Sequence, residues 1–324
     1  MIDLHLHLDG SLSPQLVGEL ARLQNLSLPE DLETALTVPT DCSSLNDYLR
    51  CFDLPVALLQ SGEALTLAVR DLSSRLEEQG LLYAELRFAP SQHTRQGLTQ
   101  AQAVEAAIAG LPKRNGDGWR FCAQLILCCM RGGDPAANGE TVKTAARYLG
   151  QGVCALDLAG AEALYPTADS RELFRLAGSL GVPFTLHAGE AAGPESVRQA
   201  LELGAQRIGH GVRAGEDPAL LEVLSQRRIP LEMCPTSNLQ TKAVPDLEHF
   251  PLRAYLHQGV LATVNTDNMT VSHTTLKQEF QLLQKLGLTE EEGRTLLRNS
   301  VQGAFLDPEK KALLSQALER RLEA

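Results

Sequence analysis

The sequence predicts an α/β fold, a (β/α)8 TIM barrel with extra helices near the N-terminal half and at the C-terminus. Short apolar segments with strand character recur after helical segments, and Gly or Pro residues separate them. Eight such alternations are typical of a closed parallel barrel. The length of 324 residues also suits a barrel that folds as one unit. Because the chain shows no internal repeat, low-complexity tract or linker, we expect residues 1–324 to form a single domain.

The composition limits the partners and the location that can be expected. A net charge of −11 disfavours binding to a phosphate backbone, so we expect no nucleic-acid partner. No apolar run is long enough to span a membrane, and no basic segment followed by an apolar one opens the chain. The seven cysteines include no CxxC pair, which indicates reduced thiols. We therefore expect a cytoplasmic protein with no membrane partner.

The first strand carries the strongest signal in the chain. Between Met1 and Gly10, apolar and polar residues alternate strictly, so their side chains point to opposite faces. Leucines occupy one face, and the other face carries four polar side chains: Asp3, His5, His7 and Asp9. Two imidazoles flanked by two carboxylates at a strand end indicate a metal site.

The other seven strands are predicted from short apolar runs bounded by turn residues. The second strand, for example, is closed by Ala89 and Pro90. In chain order these strands are expected at residues 82–88, 121–130, 153–158, 183–187, 207–209, 229–233 and 260–265.

Helices are predicted between the strands. The first is expected at Pro14–Gln24, because Ser13 is placed to cap it and proline suits a first helical turn. Others are expected at residues 100–111, 139–149, 170–180, 194–203, 219–226 and 251–257. The tail from residue 276 to 324 is helical in pattern, and we expect it to pack outside the barrel.

A helix-rich insertion is predicted at residues 32–79, between the first two strands. Within it, residues 44–60 form an amphipathic pattern whose apolar positions are Leu45, Leu49, Phe52, Val56 and Leu59. Packing against the barrel is the simpler interpretation of this stripe. A helix that covers the barrel mouth as an apolar lid is the alternative.

Polar residues gather at the carboxyl ends of the predicted strands, where barrel enzymes place their active sites. Four of the eight histidines occur there. In chain order these ends contribute His5, His7, Asp9, Glu85, Arg87, Asp157, Gly160, His187, Glu190, His210, residues 234–238 and residues 265–268. A single histidine on a strand is usually structural, but convergence of four strand ends favours a functional site. Glu85 and Arg87 are instead interpreted as an inward-facing structural ion pair.

Four of these residues predict a metal centre. His5, His7, His187 and Asp267 offer three imidazoles and one carboxylate, which suit zinc or a similar divalent ion with an open position for water. Such an ion lowers the pKa of bound water to about 7. Glu190, three residues after His187, is placed for general acid–base chemistry, and His210 could orient or deprotonate the water.

The chain resembles the adenosine deaminases of the amidohydrolase superfamily. The segments that carry the resemblance follow the order found in the family and extend over nearly the whole chain. They are HLHLDGSLSP (5–14), ELRFAP (85–90), DLAG (157–160), HAGEAAGPES (187–196), RIGHG (207–211), CPTSN (234–238) and NTDN (265–268). The H-x-E…P-C-x-x-C signature of the cytidine-type zinc deaminases is missing.

The resemblance implies a catalytic apparatus with one zinc ion per chain, held by His5, His7, His187 and Asp267. Metal-bound hydroxide would attack C6 of the purine while Glu190 protonates N1. His210 and Asp267 would hold the water and help to deprotonate it.

The resemblance also implies the contacts to substrate. Asp9 would bind a ribose hydroxyl, the N–H of Gly160 would reach purine N3, and His7 would border the substrate. Asn268 stands where many members carry an Asp that must be protonated to donate to purine N7. Because an Asn amide donates at any pH, we expect this contact to survive.

The function implied is deamination of adenosine and 2′-deoxyadenosine to inosine and deoxyinosine, with release of ammonia, in purine salvage. Relatives that act on adenine or modified futalosines tend to carry HLEG where this chain has His7-Leu8-Asp9-Gly10, and a shorter Asp leaves room for ribose. Deamination of adenine or of an N6-substituted nucleoside is the alternative.

AMP is disfavoured because no Arg/Lys cluster accompanies the motifs. A nucleoside-binding protein without activity would be expected to lose one of the catalytic residues. The oligomeric state stays open.

Overall fold

The computed structural model describes residues 1–113 and 119–323, and it confirms the predicted barrel. Within these described residues, eight strands pair in parallel as two consecutive groups, β1 to β4 and β5 to β8. Bridges between Leu156 and Phe184 and between Leu6 and Asp267 join the two groups on both sides and close the ring. The strands are β1 Ile2–His7, β2 Tyr83–Phe88, β3 Cys122–Met130, β4 Val153–Ala159, β5 Thr185–Ala188, β6 Arg207–His210, β7 Leu231–Met233 and β8 Ala262–Val264.

Helices surround this barrel and include the predicted extra helices in the insertion and the tail. Ser13 caps α1 as predicted, since its Oγ accepts the N–H of Leu16. The helix after β3 begins at Pro135, earlier than predicted, because the side chain of Asp134 caps it. The helices are α1 Pro14–Gln24, α2 Leu32–Leu36, α3 Leu45–Tyr48, α4 Asp53–Leu58, α5 Gly62–Glu78, α6 Gln100–Gly110, α7 Pro135–Tyr148, α8 Arg171–Ser179, α9 Pro194–Leu203, α10 Pro218–Gln226, α11 Pro235–Gln240, α12 Leu252–His257, α13 Leu276–Lys285, α14 Glu290–Gly303 and α15 Pro308–Glu323.

The amphipathic segment at residues 44–60 departs from the single helix that its pattern indicates. It consists of α3, a 3₁₀ turn at Leu49–Phe52, and α4. Pro55 has no N–H to donate to the preceding turn, so a continuous α-helix would lose a bond there. The chain therefore forms a 3₁₀ turn at Leu49–Phe52 before the proline, and α4 begins at Asp53 with Pro55 in its first turn.

None of the helices in the described part of the chain combines the length and apolar character that a membrane span requires.

The interior of the barrel carries buried ion pairs, and they differ from the predicted pairing of Glu85 with Arg87. Arg87 donates to Asp157 at 2.9 Å and to Glu232 at 2.8 Å. Glu85 pairs with Arg207 at 2.7 Å. Residues two apart on one strand lie about 6.6 Å apart along it, so each side chain meets partners on neighbouring strands. The structural interpretation of these charges is supported, but the partners are other residues.

A further buried carboxylate, on α13, predicts a pH-dependent stability. Glu279 accepts the N–H of Thr236 at 3.0 Å and the hydroxyl of Thr274 at 2.5 Å, and burial raises its pKa to about 7. The folded protein therefore retains a proton that the unfolded chain loses from about pH 4.5 upward, so this group's contribution falls as the pH rises to about 7.

Replacing Glu279 with Gln removes this titration. The amide oxygen can accept the N–H of Thr236, and the amide NH2 can donate to the hydroxyl of Thr274. We expect the variant to gain stability relative to the wild type as the pH rises from 5 to 8, by up to about 3 kcal/mol. Denaturant unfolding at both pH values measures the difference. An equal stability difference at pH 5 and pH 8 would contradict the raised pKa.

Candidate active site

The four predicted metal ligands converge at the carboxyl ends of the strands. His5 and His7 lie in β1, His187 in β5, and Asp267 directly after β8. Their ligand atoms all lie within 4.8 Å of one another. Nε2 of His7 is 3.2 Å from Nε2 of His187, and Oδ1 of Asp267 is 3.4 Å from Nε2 of both His5 and His7. The spacing of these atoms fits coordination of one ion between them.

Carboxylates behind two of the imidazoles direct their Nε2 atoms toward this point. Nδ1 of His5 lies 2.8 Å from Glu232, and Nδ1 of His187 lies 2.9 Å from Asp157. A carboxylate that accepts the Nδ1 proton leaves the Nε2 lone pair free for a metal. Nε2 of His5 is buried and has no hydrogen-bond partner among the residues that the structure describes, which is costly unless an ion binds there. The donor set therefore fits a divalent metal ion.

The backbone at two site residues is strained. His210 has φ of 59° and Asp267 has φ of 62°, the left-handed region that non-glycine residues seldom adopt. The N–H of His7 donates to the carbonyl of Asp267 at 2.7 Å, and the N–H of Asp267 donates to His5 at 2.8 Å. These bonds to β1 hold the strained turn in place and bring the Asp267 carboxylate beside both histidines.

Glu190 directs its carboxyl group into the site. Its Oε1 is buried without a hydrogen-bond partner in residues 1–113 and 119–323, and its Oε2 lies 3.5 Å from Nε2 of His210. Burial, reinforced by the negative charge of Asp267, raises the pKa of Glu190 to about 8. The group is therefore protonated at neutral pH and able to donate a proton.

His210 is neutral, and its tautomer follows from its partners. Burial holds the pKa of His210 well below its usual value. Nδ2 of Asn238 donates to Nδ1 of His210 at 3.0 Å, while Oδ1 of Asn238 accepts from the N–H of Cys234 at 3.4 Å. The proton of the imidazole is therefore on Nε2, the atom that faces Glu190.

A cavity of about 360 Å³ adjoins these groups. Every residue predicted to contact substrate or to act in catalysis lines it, and these residues are His7, Asp9, Gly160, Glu190, His210, Asp267 and Asn268. His5 lies behind them in the ligand cluster. The structure thus brings all predicted site residues together at one place.

Residues of the insertion form another wall of the cavity. Leu45, Leu49, Phe52 and Val56 line it, so four of the five apolar positions predicted in residues 44–60 contact this space. The stripe therefore covers the cavity as well as packing against the protein.

Two further residues, Gly10 and Arg95, affect the cavity wall. A Cβ atom on Gly10 would lie 1.8 Å from Oδ1 of Asn268, so only glycine leaves Asn268 its position at the cavity wall. Arg95, an exposed cation that the motifs did not reveal, also lines the cavity.

Several residues that support the site had no role assigned from the sequence, although Ser237 and Asn238 belong to the predicted strand end at residues 234–238. Glu232 orients His5, Asn238 sets the tautomer of His210, and the hydroxyl of Ser237 donates to Asp267 at 2.5 Å. Glu232 could have been noticed, because it is a single charge inside an apolar strand. Asp3, which shares a face with His5, instead accepts from the hydroxyl of Thr266 at 2.6 Å and stays outside the ligand cluster.

Comparison with known proteins identifies similar chains. A family model described as adenosine deaminase matches residues 1–320. An adenosine deaminase from Haemophilus ducreyi is 54% identical over 99% of this chain and 96% of its own length.

Solved structures share the fold at lower sequence identity. Adenine deaminase from Arthrobacter aurescens has a TM-score of 0.87 and 27% identity, covering 100% of this chain and 99% of that one. An N6-mAMP deaminase from Arabidopsis has a TM-score of 0.87 and 26% identity, covering 98% of this chain and 97% of that one.

Proposed function

Because this chain belongs to the adenosine deaminase family, we propose that it catalyses hydrolytic deamination of adenosine and 2′-deoxyadenosine. The products are inosine or deoxyinosine and ammonia. The observation that carries this proposal is the convergence of Glu190, His210 and the ligand cluster on one cavity. The high identity with an adenosine deaminase favours a nucleoside over the substrates of the more distant structural relatives.

We propose zinc as the metal, one ion per chain, held by His5, His7, His187 and Asp267. Three imidazoles and one carboxylate suit zinc better than magnesium or calcium, which prefer oxygen ligands. When bound, the ion would supply Lewis acidity that lowers the pKa of a water molecule to about 7.

The residues of this chain would divide the proton transfers between them. Glu190, protonated at neutral pH, would give its proton to N1 of the purine and make C6 electrophilic. His210 would hold the attacking oxygen through its Nε2–H, and Asp267 would accept the proton that the water loses. Asp267 would pass this proton to the 6-amino group after the oxygen has bonded to C6, and the C6–N bond would break with departure of ammonia. The oxygen on C6 would give its remaining proton back to Glu190, which leaves the 6-oxopurine and restores the acid. A role for His210 as hydrogen-bond donor is favoured over a role as base, because its neutral form carries its proton on Nε2.

We propose that the remaining polar groups of the cavity orient the nucleoside. Asp9 would accept a hydrogen bond from a ribose hydroxyl, and the N–H of Gly160 would donate to purine N3. Asn268 would donate to purine N7, and His7 would border the ring. The apolar wall formed by residues 45–56 would exclude water from the reacting atoms.

An ultraviolet deamination assay with adenosine, deoxyadenosine, adenine, N6-methyladenosine and AMP at equal concentrations tests this proposal. We expect the two unsubstituted nucleosides to react with the highest kcat/KM. Preference for adenine or N6-methyladenosine would overturn the assignment of substrate.

AMP is the second candidate substrate, because Arg95 places a cation at the cavity where a 5′-phosphate could be reached. If AMP reacts best, the substitution Arg95→Gln should raise the KM for AMP and leave the KM for adenosine unchanged. A higher kcat/KM for adenosine than for AMP would reject this second candidate.

The substitution Asn268→Asp should change how kcat/KM for adenosine depends on pH. A carboxyl group in this buried position donates to purine N7 only while protonated, whereas the amide donates at every pH. We expect the ratio of kcat/KM between variant and wild type to fall as the pH rises, by up to about tenfold per unit above the pKa of the new carboxyl. Initial rates with adenosine between pH 5.5 and 8.5 measure this ratio. A ratio that stays constant would show that Asn268 does not act as a donor.

We also propose that the protein works in the cytoplasm and that its barrel forms a single domain. The cysteines are buried and form no disulfide within the described part of the chain, which supports a reducing compartment. The bridge between β1 and the segment after β8, which joins the first residues of the barrel to its last, supports one folding unit.

A further inference from the structure

A single buried carboxylate binds the backbone of the segment that carries Glu190. Glu162, in the loop after β4, accepts the N–H groups of four consecutive residues: Gly189 at 2.7 Å, Glu190 at 3.0 Å, Ala191 at 2.7 Å and Ala192 at 2.9 Å. The residue is only 2% exposed. Because four consecutive N–H groups share this one acceptor, the segment is held tightly.

Further contacts hold Glu162 itself. The hydroxyl of Ser196, in the first turn of α9, donates to Glu162 at 2.5 Å and also lies 2.8 Å from the hydroxyl of Thr167. Arg131 donates to the hydroxyl of Thr167 at 2.9 Å and to the carbonyl of His187 at 2.6 Å. One polar network therefore joins Glu162 to the strand end that carries a predicted metal ligand.

The other side of the segment is bound as well. The N–H of Arg213 donates to the carbonyl of Gly189 at 2.9 Å, and its guanidinium donates to the carbonyl of Ala191 at 3.3 Å. Gly189 has φ of 73°, and a Cβ atom there would lie 2.7 Å from Val197. The turn is thus confined by carbonyl contacts on one side and by Glu162 on the other.

We propose that Glu162 is a positioning residue that acts through Glu190: it fixes residues 189–192 so that the Glu190 carboxyl points at the substrate atom it protonates. This inference rests on the proposed function, in which that atom is N1 of the purine. Within the described part of the chain, the Oε1 of Glu190 has no hydrogen-bond partner. Its Oε2 lies 3.5 Å from Nε2 of His210, which is a long contact, so the direction of this carboxyl depends mainly on the backbone that Glu162 holds.

The rate of proton transfer depends on the distance between donor and acceptor, so the position of the Glu190 carboxyl affects kcat. A displacement of about 1 Å can lower a rate by about 10²-fold. Loss of the acceptor at Glu162 would free four N–H groups and allow the segment to shift. Substrate contacts through Asp9 and Asn268 lie on other loops and would be kept.

Two substitutions test the proposal. Glu162→Gln can retain an oxygen for the N–H groups of residues 190–192 but places an NH2 group near Gly189, and we expect kcat for adenosine to fall about tenfold. Glu162→Leu removes every acceptor, and we expect a fall of about 10²-fold. If the Leu variant does not fold, the Gln variant still decides, and an unchanged kcat in it would overturn the proposal.

Binding measurements separate positioning of Glu190 from damage to the whole site. We expect the KM for adenosine and the zinc content to change by less than about twofold in Glu162→Gln. The dissociation constant of 1-deazaadenosine, which has carbon in place of N1 and cannot bond to Glu190, should also be unchanged. Weaker binding of this analogue or loss of zinc would mean that Glu162 supports the site in general, and the proposal would fail.

A double-mutant cycle with Glu190→Gln gives the sharpest test. If Glu162 acts through Glu190, adding Glu162→Gln to that variant should change the residual kcat by less than about twofold. A further tenfold loss would show independent action and contradict the proposal. The control is Glu292→Gln, since Glu292 is a carboxylate with several hydrogen-bond partners, among them Thr289 and Arg253, in a different part of the fold, although it is only partly buried. We expect that variant to keep the wild-type kcat.

Failure of the proposed function would be seen separately, as a wild-type enzyme that does not deaminate adenosine.

Discussion

Replacing Glu190 with Gln should lower kcat for adenosine by about 10²–10⁴-fold, the usual contribution of a general acid. The amide has nearly the shape of the carboxylic acid and can still donate a hydrogen bond to N1, but it cannot transfer a proton. Steady-state kinetics measures the loss, and metal analysis together with nucleoside binding shows whether the site is intact. We expect one zinc ion per chain and a normal dissociation constant for the nucleoside.

The pH profile provides a second readout for Glu190. Since burial and Asp267 raise its pKa to about 8, the proton needed by the substrate is present at neutral pH and is lost as the pH rises through about 8. We expect kcat/KM of the wild type to fall above this pH and the residual activity of the variant to lack that limb. Glu195→Gln, an exposed position at the start of α9, is the control and should behave as the wild type. Near-normal turnover of Glu190→Gln would refute the proposed role.

His187→Ala should abolish metal binding and activity together. The substitution removes one of four ligands and leaves the carboxylate of Asp157 without its imidazole partner. We expect less than about one tenth of the wild-type zinc content, since metal affinity depends on the full ligand set, and a loss of kcat/KM of at least about 10³-fold. Metal analysis after dialysis and the deamination assay measure the two quantities.

Chelation of the wild type provides the complementary experiment. A chelator should remove activity, and added zinc should restore it in the wild type but not in His187→Ala. The matched control is His257→Gln, because His257 is an exposed histidine on α12 outside the ligand cluster. Stoichiometric zinc and full activity in His187→Ala would exclude the proposed ligand set.

The apolar wall contributed by the insertion connects the fold with this chemistry. The 3₁₀ turn at Leu49–Phe52 separates α3 from α4, and residues of all three elements line the cavity. Phe52 lies near His7, with ring centroids 6.4 Å apart, so this wall extends to the predicted metal ligands.

The sequence by itself determined the barrel and the positions of its main polar groups. Strict alternation placed His5 and His7 on one face of β1, and apolar runs placed His187 and Asp267 at the ends of later strands. These signals are local, because the two-residue period of a strand and the residue types at its ends are properties of a short stretch of chain. Parallel closure then brings all carboxyl ends to one rim, which is why the ligand cluster could be predicted before any contact was known.

Only the tertiary structure decided which side chains meet inside that frame. Glu232 reaches His5 across 227 positions of sequence, and Glu162 binds backbone N–H groups of a loop that follows a different strand. Arg95 reaches the cavity from a loop that carries no family motif. Pairings of this kind depend on the register and tilt of strands around the ring, which no local pattern encodes. The chemistry of each strand end can thus be predicted from the sequence, whereas the partners that orient it require the assembled barrel.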